Sequence, residues 1–481
     1  MRLARSGDHW RKVYKRQYNT SLDEIQFTNV RGLGNGIIEF EGGITAICGA
    51  NGVGKTTVLN AIFCILCPFG KEKLMNPIMR LSGANLVGTL KTNKGKVTRL
   101  IDFLEEEVNL VGDQDANVDA LWLDPSLQSP QLIDVFYNMN NVNEMLEAFE
   151  SRESDADEIE MLSYIIGKNY TSVTTYEIED IDSFDVLPYF RVSIDNNIYY
   201  GTETMGLGEL SIHNIIYQLR RVSKNSIVLL EEPEAFLAPR SQEALLDVLA
   251  KYSEEKGIWI ILTTHSPSIL KKIPYSHTRV LSRVGNSVKI IKPSNHNMQL
   301  TSLGIITPKS GIILVEDRFA RELLKVIIGQ FDPGVLHQVE VIDCQGEGNV
   351  TSLLKTFPEA SKPFKLIGVF DGDKSDLVDT YNWPYTFLPG HSAPEYLFKS
   401  IASRKIENLA RMTGRSEDFV YAILSSLEGL NHHDWFEELH KKMGLTYEQL
   451  LKYYFELWIE DDDNNLIVAE QLFDNITNYL N

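Results

Sequence analysis

Gly49-Ala-Asn-Gly-Val-Gly-Lys-Thr-Thr57 stands between the apolar run Gly43-Ile-Thr-Ala-Ile-Cys48 and a second one, Val58-Leu-Asn-Ala-Ile-Phe-Cys-Ile-Leu66. Strand, glycine loop and helix start therefore follow in the order that a phosphate-binding loop requires. Gly49, Gly52 and Gly54 let backbone N–H groups turn toward a phosphate, and the positive end of the helix dipole adds to that attraction. Lys55 is placed to reach β- and γ-phosphate oxygens, and Thr56 to hold Mg²⁺. The predicted nucleotide site comprises Gly49, Asn51, Gly52, Gly54, Lys55, Thr56 and Thr57, with ATP and Mg²⁺ as the expected cofactors.

The 481 residues are too many for one ordinary core, so two or three domains are expected. Hydrophobic content of 43% and charged content of 23% are those of a soluble globular chain. A net charge of −20 argues against coating nucleic acid through an overall field, so any DNA contact needs a local basic surface or metal ions. Basic residues gather over 2–16, at Arg220, Arg221 and Lys224, at Lys271 and Lys272, and over 404–415. Such clusters are more often solvated faces than nucleic-acid contacts. Four cysteines, at 48, 64, 67 and 344, are too few for a disulfide framework and fit a reducing compartment. Cys64 and Cys67 lack a second pair for zinc and read as small core residues. No signal peptide is expected, and the longest apolar run, over 58–69, is too short for a bilayer, so a cytoplasmic location is expected, with no membrane contact.

Residues 1–16 are basic without a clear period and read as a loose arm. Alternation in Ile25-Gln-Phe27-Thr-Asn-Val30 and Gly36-Ile-Ile-Glu-Phe40 predicts two strands feeding the phosphate-loop strand. Residues 87–90 and 97–103 predict an accessory β-layer, and an acidic, helix-prone stretch runs on to about residue 168. Within it, 147–160 reads as a solvated helix face or a mobile connection. Strands resume at 173–181 and 189–200, and the whole insertion reads as a lateral or dimerisation subdomain without chemistry. Ser226-Ile-Val-Leu-Leu-Glu-Glu-Pro-Glu234 is the pattern of a buried strand that delivers acids at the C-terminal edge of a parallel sheet. Ile258-Trp-Ile-Ile-Leu-Thr-Thr-His-Ser-Pro267 repeats it with His265 at the end.

With Asn29-Val-Arg-Gly-Leu33 ahead of the loop, this half resembles the RecF-like branch of ABC ATPases, which serves chromosome maintenance and repair. The resemblance implies Glu231 near Mg²⁺, where the family usually has Asp, and Glu232 polarising the attacking water. It makes His265 the switch histidine that contacts the γ-phosphate. Met205-Gly-Leu-Gly-Glu-Leu-Ser211 occupies the place of the ABC signature, so Gly206, Gly208 and Glu209 are expected to cap the γ-phosphate of a partner subunit from a helix N-terminus. Gly206 replaces the usual serine, which leaves the contact to backbone N–H groups or to Ser211. A signature acts across two heads, which implies an ATP-bridged homodimer or higher homo-oligomer.

A second unit starts with Gly311-Ile-Ile-Leu-Val-Glu316 and the helical period Phe319, Leu323, Leu324, Ile327. Val339-Glu-Val-Ile-Asp343, the loop Gly346-Glu-Gly348 and Leu366-Ile-Gly-Val-Phe-Asp-Gly-Asp373 complete a β-α-β-α-β pattern, hence a small parallel sheet with acids at one edge. Glu316, Asp371 and Asp373 repel one another unless a cation neutralises them, and oxygen ligands suit Mg²⁺ or Mn²⁺. From spacing alone they are equally three surface acids on turns. Val315-Glu-Asp, the glycine loop and Asp371-Gly-Asp373 resemble a Toprim domain, the metal-binding module of topoisomerases, primases and certain nucleases.

An ABC head followed by Toprim is similar to the OLD (overcoming lysogenisation defect) family of ATP-dependent nucleases used in phage defence, over about residues 22–400. The fold class is then α/β: an arm over 1–16, an ABC-type ATPase over 17–300 with its β-layer and helical insertion over 70–200, Toprim over 308–400, and a helical extension over 401–481. The resemblance implies a Mg²⁺-dependent DNA endonuclease under ATP control, with DNA and a partner protein or nucleic acid encoded nearby as partners. One departure is Ala320, where such domains often carry a second acid; Glu322 and Glu395 are the candidates to compensate. Glu395 is either a metal ligand or a helix-start acid favoured by the dipole. In His432-His-Asp-Trp435 adjacent side chains diverge on a helix, so at most one imidazole faces a metal, and the pair reads as structural. Residues 401–412 and 447–459 read as helices, and 460–463 as an exposed acidic stretch. Two rivals stand: an ATP-dependent sensor or scaffold with a degenerate Toprim domain, and a topoisomerase-like enzyme, for which no motif identifies a nucleophilic tyrosine.

Overall fold

The computed structural model describes residues 3–68, 80–103, 108–112, 118–181, 184–194, 198–285, 287–294, 296–301, 303–305, 309, 311–358, 365–375 and 380–480. Arg2, Phe69 and, from the break expected over 301–309, Ser302 and residues 306–308 lie outside them. The chain divides into two compact units, residues 1–305 and 306–481. Among the described residues no helix is long and apolar enough to cross a membrane.

The first unit is built on a six-stranded sheet in the order Ser287–Ile291, Thr278–Val284, Ile44–Gly49, Trp259–Thr264, Ile227–Glu231, Ala120–Leu123. All neighbours pair in parallel except Ser287–Ile291. Ile44–Gly49 and Trp259–Thr264 are buried along their whole length, which is why they read as unbroken apolar runs rather than alternating ones. The pleat divides them between two cores. Ala46, Val228 and Ile260 face one, packed with Ile215, Leu245 and Leu249, and Ile47, Leu229 and Ile261 face the other.

That second core is closed by the helix Lys55–Leu66 and a five-stranded antiparallel sheet containing Ser21–Val30, Gly34–Glu39, Asn85–Thr92 and Gly95–Phe103. The helix between the two sheets is buried on nearly every side, so its sequence lacks a polar face. The strands expected to feed the phosphate-loop strand thus belong to this separate layer. Their alternation reflects a sheet with only one face covered.

Two expectations are corrected here. The loose arm expected over 1–16 is, from Leu3 to Lys15, a helix packed on the helix Pro239–Lys256. Trp10 donates its indole N–H to Asp247 Oδ1 at 2.8 Å, Tyr14 donates to the Ile44 carbonyl at 3.2 Å, and Val13 is fully buried. The narrow stripe of Trp10, Val13 and Tyr14 has helical spacing, but basic neighbours dilute it. Over 147–160 most positions are exposed, as expected of a solvated face, and the stretch is anchored at one point. Its Glu158, the side chain buried, accepts from Arg152 at 3.0 Å and from Arg220, while Leu162 and Ile165 of the helix Ala156–Ile166 enter the core. The expected strand over 189–200 is two, Phe184–Ile194 and Ile198–Gly201.

The second unit holds a wholly parallel sheet in the order Val339–Asp343, Gly311–Val315, Lys365–Phe370, Tyr385–Phe387. One face, through Ile313, Val315, Ile367 and Val369, packs on helices that include Arg318–Phe331, Pro394–Arg404 and Tyr447–Ile459. The other, through Leu314, Leu366 and Phe370, packs on Glu347–Thr356. The helix expected over 401–412 is instead the end of Pro394–Arg404 followed by Ile406–Thr413, broken at Lys405.

Candidate nucleotide and carboxylate sites

The loop after Ile44–Gly49 turns on residues of positive φ, Gly49 at 150°, Gly52 at 73° and Gly54 at 113°. A Cβ on Gly54 would strike the Leu33 side chain, so the segment 29–33 braces the loop from outside. Lys55 is buried, and its ammonium donates to the Gly49 carbonyl at 3.2 Å and lies 3.3 Å from Glu232 Oε1. Thr56 donates its hydroxyl to Glu231 Oε1 across the sheet edge. Thr57 lines a cavity of about 240 Å³ with Gly52, Gly54, Arg31, Arg80 and Arg283; Asn51 is exposed at the turn. Glycine N–H groups, a lysine and three arginines beside a Thr-carboxylate pair form a donor set that fits a Mg²⁺-nucleotide. Arg80 and Arg283 carry no motif and were invisible to sequence reasoning.

Strand Ile227–Glu231 leaves Glu231 at the edge, and the chain turns at Glu232, a non-glycine residue held at φ 43°. Its N–H donates to the Thr263 carbonyl at 3.2 Å, which helps hold a conformation that costs about 1–3 kcal/mol. Burial raises the Glu231 carboxyl above its ordinary range; the Thr56 bond opposes this, and the charges of Asp124 and Glu232 add to it. Asp124, which follows the neighbouring strand Ala120–Leu123, was not anticipated. His265 Nδ1 lies 3.4 Å from Glu232 Oε1 and 3.6 Å from Glu234 Oε1. Glu234 was quoted only as the end of its motif. It is buried, and accepts from Thr264 Oγ1 at 2.6 Å and the His265 N–H at 2.9 Å, so it fixes the turn that carries His265.

The signature-like segment opens the helix Leu207–Arg221 with Gly206 as N-cap. Gly208 abuts the carbonyl of Phe236, and a Cβ there would collide with it. Two expectations are corrected. Glu209 is not free to reach a phosphate, because Lys168 at 2.7 Å, Tyr200 at 2.5 Å and Tyr170 all bond its carboxylate. Ser211 is fully buried, so its hydroxyl has no route to a partner subunit.

In the second unit Glu316 and Asp371 follow adjacent parallel strands, and the Asp371 N–H donates to Glu316 Oε1 at 2.9 Å. Asp371 is 7% exposed, and its Oδ1 has no hydrogen-bond partner. Burial first, then Glu316, Asp317, Glu395 and Asp373, push its carboxyl up to about 8. Burial also raises Glu316. Asp373 is exposed, with Lys374 3.8 Å away. The Gly346 N–H donates to the Glu316 carbonyl at 2.7 Å, which closes the glycine loop over the strand end.

Glu395 is 2% exposed; it accepts from His433 Nδ1 at 2.8 Å, and its Oε2 is buried without a partner. Asp317, Glu395 and His433 bring one ligand atom each within 4.8 Å of one another. His433 thus meets two carboxylates, and Asp317 escapes a reading of the sequence because a residue next to Glu316 reads as its helix cap; its Oδ1 does accept the Ala320 N–H at 2.9 Å. Glu322 does not compensate for Ala320: Arg321 at 2.8 Å and Lys325 at 3.1 Å hold its carboxylate. Buried, unpartnered carboxylate oxygens in this arrangement fit a divalent cation, because the burial that raises their affinity for a proton is relieved equally by a bound cation.

Comparison with known proteins places the first unit. A family model described as "AAA domain, putative AbiEii toxin, Type IV TA system" matches residues 91–271, and a second, "AAA domain", matches residues 24–109. Protein ea59 of Escherichia phage lambda is 29% identical over 103 residues, which are 21% of this chain and 19% of that protein, so the match spans under a fifth of its length. Solved structures with similarity include an Smc head bound to the C-winged helix domain of ScpA (13% identity, 56% of this chain and 97% of that one, TM-score 0.40). Another is an Smc head with a coiled coil and joint from Pyrococcus yayanosii (9% identity, 59% and 99%, TM-score 0.42). At these scores the likeness decides nothing further. The first unit contains a P-loop ATPase domain of the AAA type.

Proposed function

We propose that the chain is an ATP-controlled, Mg²⁺-dependent DNA endonuclease of the OLD type acting in antiphage defence, with the ATPase over 17–300 governing a Toprim domain over 308–400 and its helical extension over 401–481. The observation that carries the reading is the pair Glu316 and Asp371 at adjacent parallel strand ends, with Asp371 buried and one of its oxygens unpartnered. The AbiEii description of the matching model supports a defence setting. Cytoplasmic DNA is the proposed substrate, with a further partner encoded nearby.

In the ATPase half, Lys55 would neutralise the phosphates and Thr56 with Glu231 would hold Mg²⁺. Glu232 takes the proton of the water that attacks the γ-phosphorus, and His265 reads that phosphate. The N–H groups at Gly206 and Gly208 cap the γ-phosphate of a second copy, so ATP bridges a homodimer. In the other half Glu316, Asp371 and Asp373, with Glu395 beside them, would hold Mg²⁺ or Mn²⁺, and such an ion would supply charge neutralisation at the scissile phosphate. Water would add to phosphorus with a carboxylate accepting its proton, and the bond to the leaving deoxyribose oxygen would break as that oxygen takes up a proton from solvent.

Incubation with plasmid and phage DNA plus Mg²⁺ or Mn²⁺, with and without ATP, tests this beside Lys55→Ala and Asp371→Asn. Cleavage by the wild type that Asp371→Asn abolishes supports the reading. Cleavage untouched by Asp371→Asn removes it. The second reading, an ATP-dependent sensor or scaffold with a degenerate cutting site, draws on the fully buried Ala320 and the engaged Glu322. It predicts ATP turnover with no cleavage under any cation.

A further inference from the structure

Three side chains meet where the helix Pro394–Arg404 starts. Glu395 is held in the interior by one oxygen, which accepts from His433 at 2.8 Å, while the other is buried and unpartnered. Asp317 comes from the strand-to-helix turn after Glu316, and His433 from the first turn of the helix His432–Met443, which the helical extension contributes. Their ligand atoms converge within 4.8 Å. A cluster of acids would be unremarkable on a surface. Here one acid is in the interior with an unused lone-pair site, and an imidazole, half exposed and so open to solvent exchange, completes the set.

We propose that Asp317, Glu395 and His433 form a second divalent-cation site that adjoins the Glu316–Asp371 pair and prefers Mn²⁺ to Mg²⁺. Two carboxylate oxygens and one neutral ring nitrogen make a mixed donor set; nitrogen ligation favours Mn²⁺ over the harder Mg²⁺. The charges of Asp317 and Glu395 both act on Asp371, so the two sites share one electrostatic field. The proposed site's nitrogen ligand comes from the helix His432–Met443 of the helical extension. Its purpose as the second cation of DNA cutting rests on the function proposed above; its existence does not.

Mn²⁺ titration of the full chain, followed by calorimetry and by electron spin-echo detection of ¹⁴N coupling, tests it on the wild type, His433→Ala, Asp317→Asn and Glu316→Gln. His433 is on the surface, so its substitution leaves folding intact, which circular dichroism checks. Loss of a ligand is expected to cost at least what loss of an outer partner costs, about tenfold in Mn²⁺ affinity. His433→Ala is expected to abolish the ¹⁴N signal and to weaken Mg²⁺ binding less than Mn²⁺ binding. Glu316→Gln is expected to keep the ¹⁴N signal. Mn²⁺ binding without ¹⁴N coupling in the wild type, or equal affinity in wild type and His433→Ala, overturns the site. A His433-dependent signal in a protein that cuts no DNA upholds the site and removes the nuclease reading instead.

Discussion

Lys55 Nζ lies 3.3 Å from Oε1 of Glu232, so the ammonium that would serve a phosphate and the carboxylate that would serve water are paired with each other. In the proposed ATP site an arriving γ-phosphate would compete with Glu232 for Lys55 and would free the carboxylate. Glu232→Gln is expected to bind ATP a few-fold more tightly and to hydrolyse it about 10²-fold or more slowly, the usual contribution of a general base. Fluorescent-nucleotide titration and phosphate release measure the two separately. Equal turnover in the variant would dismiss Glu232 as the base.

Gly208 has the Phe236 carbonyl where a Cβ would stand. The contact ties the start of the helix Leu207–Arg221 to the loop after Glu234, so Gly208→Ala is expected to shift that helix start. It should lower the melting temperature by several degrees and depress ATP turnover, whereas Gly206→Ala, with open space around it, should leave stability unchanged. Differential scanning fluorimetry on the two variants checks the contrast.

Asp247 is 1% exposed and accepts from Trp10 at 2.8 Å, Tyr164 at 3.0 Å and Lys272 at 2.8 Å. Removing the shared acceptor strands a cation and two donors, so Asp247→Ala is expected to cost about 3 kcal/mol, as for a broken buried pair. Hydrogen exchange in the helix Leu3–Lys15 should rise in the variant, because Trp10 loses its anchor. Unchanged protection there would separate the helix from this network.

His213 is buried against Tyr170 and Phe190, and burial holds its imidazole down at about 4. An unfolded histidine titrates near 6.5, so the unfolded chain takes up the proton first as pH falls. The stability is therefore present above about 6.5 and is lost as pH falls through about 4, up to about 3 kcal/mol in all. Denaturant midpoints at pH 7.5 and 4.5 should differ less in His213→Phe than in the wild type. An equal difference in both would assign the acid sensitivity elsewhere.

Local pattern made the ATPase half legible. Residues 49–57 declare a loop by glycine spacing, and buried parallel strands are unbroken apolar runs whichever partner they find. Thr56, Glu231, Glu232 and His265 were readable because each sits at a strand end or helix start, where the backbone alone fixes the edge it reaches. The N-terminal helix escaped notice because its stripe of Trp10, Val13 and Tyr14 is too narrow to register among basic neighbours.

By itself the sequence determined the phosphate loop, the order of the strands' acids and the parallel arrangement in each half, since these follow from periodicity and from residues adjacent in the chain. Tertiary structure alone decided that Glu209 and Ser211 face inward, that Glu322 is taken by arginine and lysine, and that Asp317, Glu395 and His433 meet. The physical reason is that side-chain convergence depends on how helices far apart in sequence pack against one sheet, and on which lone pairs that packing leaves unsatisfied. Neither quantity has a local signature for a reader of sequence to find.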